Sequence, residues 1–252
     1  MKALLRRFLR RATLCILRWS SSPCPLTANS RCLVIAPHPD DETLGCAGLI
    51  LTRRLAGLPV NIIHLTDGAA SHPGHPQLCP ADLAQLRRAE ALRAMAVLEA
   101  DARSLQFLNA TDGTLAHLNP AAFADLARRL SALIAPLAPT EVLVTCRDDG
   151  SSEHTAAFNL TVHALQLVGL APRLLEYPVW AYWSPRRLFR LRFTSRRVWR
   201  LSFPLIAARK REALDCYVTQ IKPTPPWTQA VLPPGFAECF GNDEEFFFDR
   251  SS

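Results

Sequence analysis

An α/β domain built on a mostly parallel sheet is predicted by three features of this 252-residue chain. Short apolar runs alternate with longer segments of helical periodicity from residue 32 to residue 168. The runs stop at turn-forming residues, Pro37 and Pro39 after the first and Asp67-Gly68 after the second. Hydrophobic content of 49% beside 20% charged residues supplies the apolar area that a sheet covered by helices on both faces has to bury.

The first segment stands apart. Leu4, Leu5, Phe8, Leu9, Ala12 and Ile16 share one helical face, Arg6, Arg7 and Arg10 lie largely opposite, and Arg11 and Arg18 flank the stripe. The arginines leave too short an apolar core for a signal peptide, and no run of about 18 apolar residues exists to span a bilayer. Two readings remain for this helix: it lies on a membrane surface, or it packs on its own domain or on a partner. Ser20 to Ser30, with Pro23 and Pro25, reads as a linker, so residues 1–30 form an appendage and residues 31–252 the domain.

Within the domain, Cys32 to Ile35 is the first buried strand. Pro37 and Pro39 end it by removing two ladder donors. Thr43 to Arg54 follows as a helix. Val60 to Thr66 is the second strand, and Ala69 to Pro80 a loop rich in Pro, His and Gly. Ala81 to Ala100 is a helix with Leu83, Leu86, Ala91, Ala94 and Leu98 at helical spacing. Ser104 to Leu108 is a short strand, and Asn119-Pro120 opens a helix through Leu130 and Ile134. Glu141 to Thr145 is a strand and His154 to Val168 a helix. Beyond Ala171 the pattern changes. Leu174 to Trp180 reads as a strand, Arg186 to Phe203 as largely extended with antiparallel pairing around Thr194-Ser195, and Ala207 to Tyr217 as a helix. The end is rich in proline, then acidic and aromatic from Asp243 to Phe248.

The string Pro37-His38-Pro39-Asp40-Asp41-Glu42 carries the chemistry. It sets a histidine and two adjacent carboxylates at the carboxyl end of a strand, where open α/β sheets bind ligands. A catalytic zinc takes three protein ligands and keeps one position open. His38 and Asp41 supply two from one turn. His154, at the start of the helix after Glu141 to Thr145, is the candidate third. Asp40 is then free to act as general base toward water. A two-histidine, one-carboxylate set also accommodates iron or another divalent ion.

These residues resemble those of the LmbE-like (PIG-L) metal hydrolases, the superfamily of N-acetylglucosaminyl-phosphatidylinositol de-N-acetylases and bacterial sugar deacetylases. The resemblance covers most of residues 31–220. It continues through Leu65-Thr66-Asp67-Gly68 with Ser71, Arg87-Arg88-Ala89-Glu90, Asp112-Gly113 and Glu153-His154, and ends with Lys210, Ala213-Leu214, Tyr217 and Gln220. It implies a Rossmann-like domain, a divalent metal, usually zinc, held by His38, Asp41 and His154, a base at Asp40, and removal of an acyl group from an N-acetylated glucosaminyl conjugate. The chain departs from the family's pattern at Ser151, where a second histidine usually assists the oxyanion and the leaving amine. Serine is a poor proton donor to an amine. A catalytically degenerate module that binds a glycan or lipid head group is therefore the alternative reading.

Arg87 and Asp112 are candidate substrate contacts beside Ser151, although Arg87 also suits an ion pair with Glu90 and Asp112 an Asp-Gly turn. His72 and His75 are expected on a solvated loop. His64 and His163 read as structural, and His117 as loop surface. Trp180 is expected in the core, while Trp183 is open. The net charge of +7 comes almost wholly from arginine, which suits phosphate, carboxylate or an anionic membrane. A basic adaptor without catalysis stays a third reading, but no nucleic-acid-binding motif appears and no nucleic-acid partner is expected. The eight cysteines form no C-x-x-C pair. They read as reduced thiols of a cytoplasmic protein, with peripheral contact to the inner face of the membrane left open.

Overall fold

The computed structural model describes residues 2–25 and 30–250, with the backbone alone for residues 2–4; residues 26–29 of the expected linker and the side chain of Leu4 lie outside the described residues. The strands are β1 Ser22–Pro23, β2 Cys32–Ala36, β3 Val60–Thr66, β4 Leu105–Ala110, β5 Glu141–Thr145, β6 Arg173–Tyr177, β7 Arg197–Ser202 and β8 Glu244–Asp249. They form one sheet in the order β1-β7-β8-β6-β5-β2-β3-β4. The five strands from β4 to β6 run parallel. β8 pairs antiparallel with both β6 and β7, and β1 joins β7 in parallel.

The helices are α1 Lys2–Ser20, α2 Asp41–Leu55, α3 Pro80–Val97, α4 Pro120–Leu137, α5 Ser152–Leu167, α6 Trp180–Trp183, α7 Pro185–Thr194, α8 Ala207–Asp215 and α9 Val218–Ile221. Alternation along β2 divides the core. Leu33 and Ile35 face α4 and α5 in one apolar cluster, while Cys32 and Val34 face the other cluster with α2, α3 and α8. Burial on both faces explains why β2 and β5 read as continuous apolar runs and not as alternating ones.

From β2 the chain steps through β3 and β4 to one side, then returns to place β5 and β6 on the other. The order therefore reverses between β2 and β5, and a crevice opens there at the carboxyl ends of the strands. Gly45 lets α2 press onto β6. A Cβ at this position would lie 2.1 Å from the ring of Tyr177, whose hydroxyl donates to the Ile35 carbonyl at 2.9 Å.

Two expectations are corrected. Arg186 to Thr194 is helical and not extended: Leu188 and Leu191, three residues apart, are the pair that α7 buries, whereas Phe189 and Phe193 stay exposed. The antiparallel partner of Arg197–Ser202 is the acidic, aromatic segment β8, not a strand turning back at Thr194-Ser195. α1 packs against α7 and β7, and among the described residues no helix is long and apolar enough to cross a membrane. All eight cysteines are free; Cys32, Cys46, Cys146 and Cys239 are buried.

A buried ion pair ties α2 to the late part of the chain. Lys210 Nζ lies 2.7 Å from Glu245 Oε1, with both side chains 2% exposed. The ammonium also donates to the Leu44 carbonyl, and the Glu245 carboxylate accepts the N–H groups of Gly48 and Leu49. Lys210→Met strands that carboxylate and should lower unfolding free energy by about 3–5 kcal/mol, measured by denaturant titration. A loss within about 1 kcal/mol would class the pair with the weak surface bridges.

Candidate metal centre

Three side chains converge where β2 and β5 separate. His38 lies in the turn after β2, Asp41 opens α2, and His154 lies in the first turn of α5. One ligand atom from each lies within 4.8 Å of the other two. Tetrahedral zinc with bonds of about 2.1 Å sets its ligand atoms about 3.4 Å apart. His154 Nε2 and Asp41 Oδ2 are 3.5 Å apart, and His38 Nδ1 is 3.0 Å from the same oxygen.

The donor set fits a cation on a second count. His154 is fully buried, and its Nδ1 lies 2.7 Å from Asp149 Oδ2. Its Nε2 is also buried and has no hydrogen-bond partner. An Nδ1–H donated to Asp149 leaves the Nε2 lone pair directed at the cluster, the arrangement that metal-binding histidines use.

Asp149 is the residue that sequence reasoning missed. It is wholly buried, and besides His154 it accepts the backbone N–H groups of Val179, Trp180 and Ala181 at 2.8–2.9 Å. Four donors on one carboxylate hold the imidazole plane and the start of α6 together. Asp148-Asp149 in the loop before the histidine was the available signal, but nothing local tells the buried aspartate from the solvated one. Asp149→Asn should weaken divalent-metal affinity about 10–100-fold, read by competition with a chromophoric chelator; unchanged affinity would reduce Asp149 to a loop anchor.

Asp40 occupies a strained position, with φ 149° and ψ −29°, a region that non-glycine residues seldom adopt. Its N–H donates to Glu42 Oε2 at 3.1 Å. The Arg87 guanidinium donates to the carbonyls of Pro39 at 2.5 Å and Gly68 at 3.2 Å and lies 3.2 Å from Asp40 Oδ2. Glu42 is itself locked by His64 Nε2 at 2.8 Å, by the Thr43 hydroxyl at 2.7 Å and by the Tyr217 hydroxyl. The Glu42 of the motif and the distal Tyr217 thus meet in the floor beneath Asp40.

The electrostatics favour positive charge at the cluster. Burial works against ionisation of Asp41, yet His154 and His38 hold its carboxyl well below the usual carboxylate range. Burial pulls His38 down, but hydrogen bonds to Asp112 and Asp41 raise it to about 10. His154 is raised to about 9, with burial opposing and Asp41 and Asp149 raising it. Burial pushes Asp40 up to about 7 against the pull of the Arg87 guanidinium.

A cleft of about 270 Å³ opens onto the site. His38, Asp40, Asp41 and Asp112 line its polar side, and Leu44, Trp180, Leu232 and Phe236 its apolar side. His154 sits behind, fully covered. Asp112 lies at the rim, 3.2 Å from His38 Nε2, and its other oxygen accepts the Ala70 N–H at 2.9 Å. Arg87 reaches the cleft wall but forms no pair with Glu90 among the described contacts. Glu90 instead accepts the N–H and hydroxyl of Thr219.

Ser151 caps α5, its hydroxyl accepting the His154 N–H at 3.4 Å. It borders a separate hollow with Arg147, Arg187 and Arg190, not the cleft. His72 and His75 are not solvated, contrary to expectation: His72 stacks on Trp227 at 5.2 Å, His75 Nε2 approaches the Thr224 carbonyl at 3.3 Å, and both rings are buried. They fasten the segment leading to Leu232 over the cleft and stay outside it. Trp180, expected in the core, is partly buried at the cleft wall.

The family model of PIG-L, described as GlcNAc-PI de-N-acetylase, matches residues 33–165. No curated protein matches the chain. Among solved structures, a conserved protein TT1542 from Thermus thermophilus is 24% identical with a TM-score of 0.64, over 88% of this chain and 95% of that one. A triple mutant of a deacetylase of the teicoplanin biosynthetic pathway is 19% identical with a TM-score of 0.66, over 87% and 97%. GalB, the 4-carboxy-2-hydroxymuconate hydratase of Pseudomonas putida, is 18% identical with a TM-score of 0.63, over 83% and 82%. At these identities the likeness is one of fold, and a deacetylase and a hydratase share it. The reaction has to be argued from the site.

Proposed function

The chain belongs to the PIG-L family, that of GlcNAc-PI de-N-acetylase, and on that premise we propose that it is a zinc-dependent N-deacetylase acting on an N-acetylated amino-sugar conjugate. The observation that carries this reading is the buried Nε2 of His154, which has no hydrogen-bond partner and faces Asp41 Oδ2 at 3.5 Å beside His38, with Asp40 outside this cluster. His38, Asp41 and His154 would hold the ion. When bound, a divalent ion there polarises the acyl carbonyl and acidifies water.

The remaining work falls to the chain's own residues. Asp40, at the cleft wall, takes a proton from the attacking water as the new C–O bond forms. Collapse then breaks the C–N bond, the proton taken up at Asp40 passes to the leaving nitrogen, and water has been consumed to yield acetate and the free amino sugar. Arg87 fixes the Asp40 carboxylate and the strained turn behind it. Asp112, at the rim, would accept a sugar hydroxyl, and Trp180, in the cleft wall, would pack against the ring. The apolar cleft wall excludes water from one side, which strengthens charge interactions within.

One observation favours a second reading. Ser151 is engaged as a helix cap and borders a different hollow, so it is not placed to protonate the leaving amine. A module that binds the glycan without cleaving it would need no such donor. Acetate release from a panel of N-acetylglucosaminyl compounds separates the two, with chelated protein compared against protein reloaded with zinc. Metal-dependent release supports the deacetylase; saturable binding of the same compounds without release, at full zinc occupancy, overturns it in favour of the binding module.

A further inference from the structure

We propose that the outward face of α1 docks the protein on an anionic phospholipid bilayer. None of the exposed residues of this face lines the cleft, and the proposal stands or falls independently of the chemistry assigned there. The helix has two apolar faces, and the domain uses only one. Thr13, Leu14 and Leu17 are buried. On the same side the Arg6 guanidinium lies 3.4 Å above the Trp183 ring, and Arg10 donates to Cys239 Sγ. At 100° per residue, Leu5, Phe8, Leu9, Ala12, Ile16 and Trp19 fall within an arc of about 100° on the other side. All of them are exposed, Phe8 at 68% and Trp19 at 91%. The stripe that looked available for packing is thus left unpartnered, although the helix does pack. α7, which packs against α1, adds the exposed Phe189 and Phe193, in mutual contact at 4.7 Å.

Charge selects the occupant. Neither α1 nor α7 contains an acidic residue. Arg7 and Arg18 are paired with Glu238 and Glu244, but Arg11 of α1 and Arg186 of α7 have no acidic partner among the described residues. An apolar strip bordered by uncompensated arginine is the pattern of a helix lying in the headgroup layer, with its apolar side chains below the phosphates and its guanidiniums among them. A second copy of the chain would bring arginine against arginine, which works against self-association through the same face. A tryptophan at the end of the stripe suits the boundary between acyl chains and headgroups.

The test is co-sedimentation of the full chain with vesicles of phosphatidylcholine alone and of phosphatidylcholine with one third phosphatidylglycerol. Partitioning should be about tenfold or more stronger on the anionic vesicles, as roughly two uncompensated arginines at the surface would give, and should weaken in high salt. Phe8→Glu with Ile16→Glu should reduce it at least about tenfold, with the thermal midpoint and metal content unchanged because both side chains are exposed. Trp19 emission should shift to the blue on anionic vesicles, and Trp19→Phe should remove that shift. Equal partitioning of the wild type and the double variant overturns the proposal. So does a dimer in vesicle-free solution that the double variant dissociates, because the stripe would then belong to a second copy.

Discussion

Asp40→Asn is expected to lower acyl release by about 10²–10⁴-fold, the range of a positioned general base, while metal content and thermal midpoint stay at wild-type values. The substitution is close to isosteric, so the side-chain amide keeps the shape of the cleft wall and can still accept from Arg87, 3.2 Å away in the native protein. Asparagine matches aspartate in size and backbone preference, so the backbone at φ 149° gains no new strain. What is lost is the capacity to hold a proton. Asp41 shares the sequence neighbourhood but not the role, since its oxygen is shared between the two histidines. A loss confined to kcat with KM unchanged marks a group acting in the transition state. If Asp40→Asn retained activity within about threefold, the base would have to be sought elsewhere at the cleft rim, with Asp112 the next residue to change.

Much of this site could be read in one dimension because its parts are contiguous or stand at element ends. His38, Asp40 and Asp41 lie within four residues, and prolines that must end a strand bracket His38. His154 could be found because a ligand from a neighbouring strand has to come just after that strand's carboxyl end, and β5 is a clear apolar run. The supporting residues are legible only in three dimensions. Asp149 acquires its meaning from the Val179–Ala181 backbone, thirty residues on. His72 and His75 look solvated until Trp227 closes on them. α7 misleads for another reason: exposed Phe189 and Phe193 stand two residues either side of the buried Leu191 and blur a helical period into an extended one. Those same phenylalanines, with the free stripe of α1, are where sequence pattern and domain packing disagree.

His154→Ala should abolish both metal binding and activity, the larger of the two losses. The imidazole is one of three ligands, and the other two come from a single turn, so removing it leaves a bidentate site open to exchange. The readout need not depend on turnover. A ligand that binds only the folded state raises stability by about 2.7 kcal/mol at a hundredfold excess over its Kd, so zinc should raise the thermal midpoint of the wild type and leave that of the variant unmoved. The variant will also be less stable without metal. It opens a cavity, and Asp149 loses its charged partner, although three backbone N–H donors still hold the carboxylate. His154→Gln controls for that loss, because it fills more of the cavity and can donate to Asp149 without restoring an imidazole lone pair. If zinc still raised the midpoint of both variants as much as that of the wild type, the ion would be held without His154. The grouping of His38, Asp112 and Glu153 on the far side of His38 would then become the site to test.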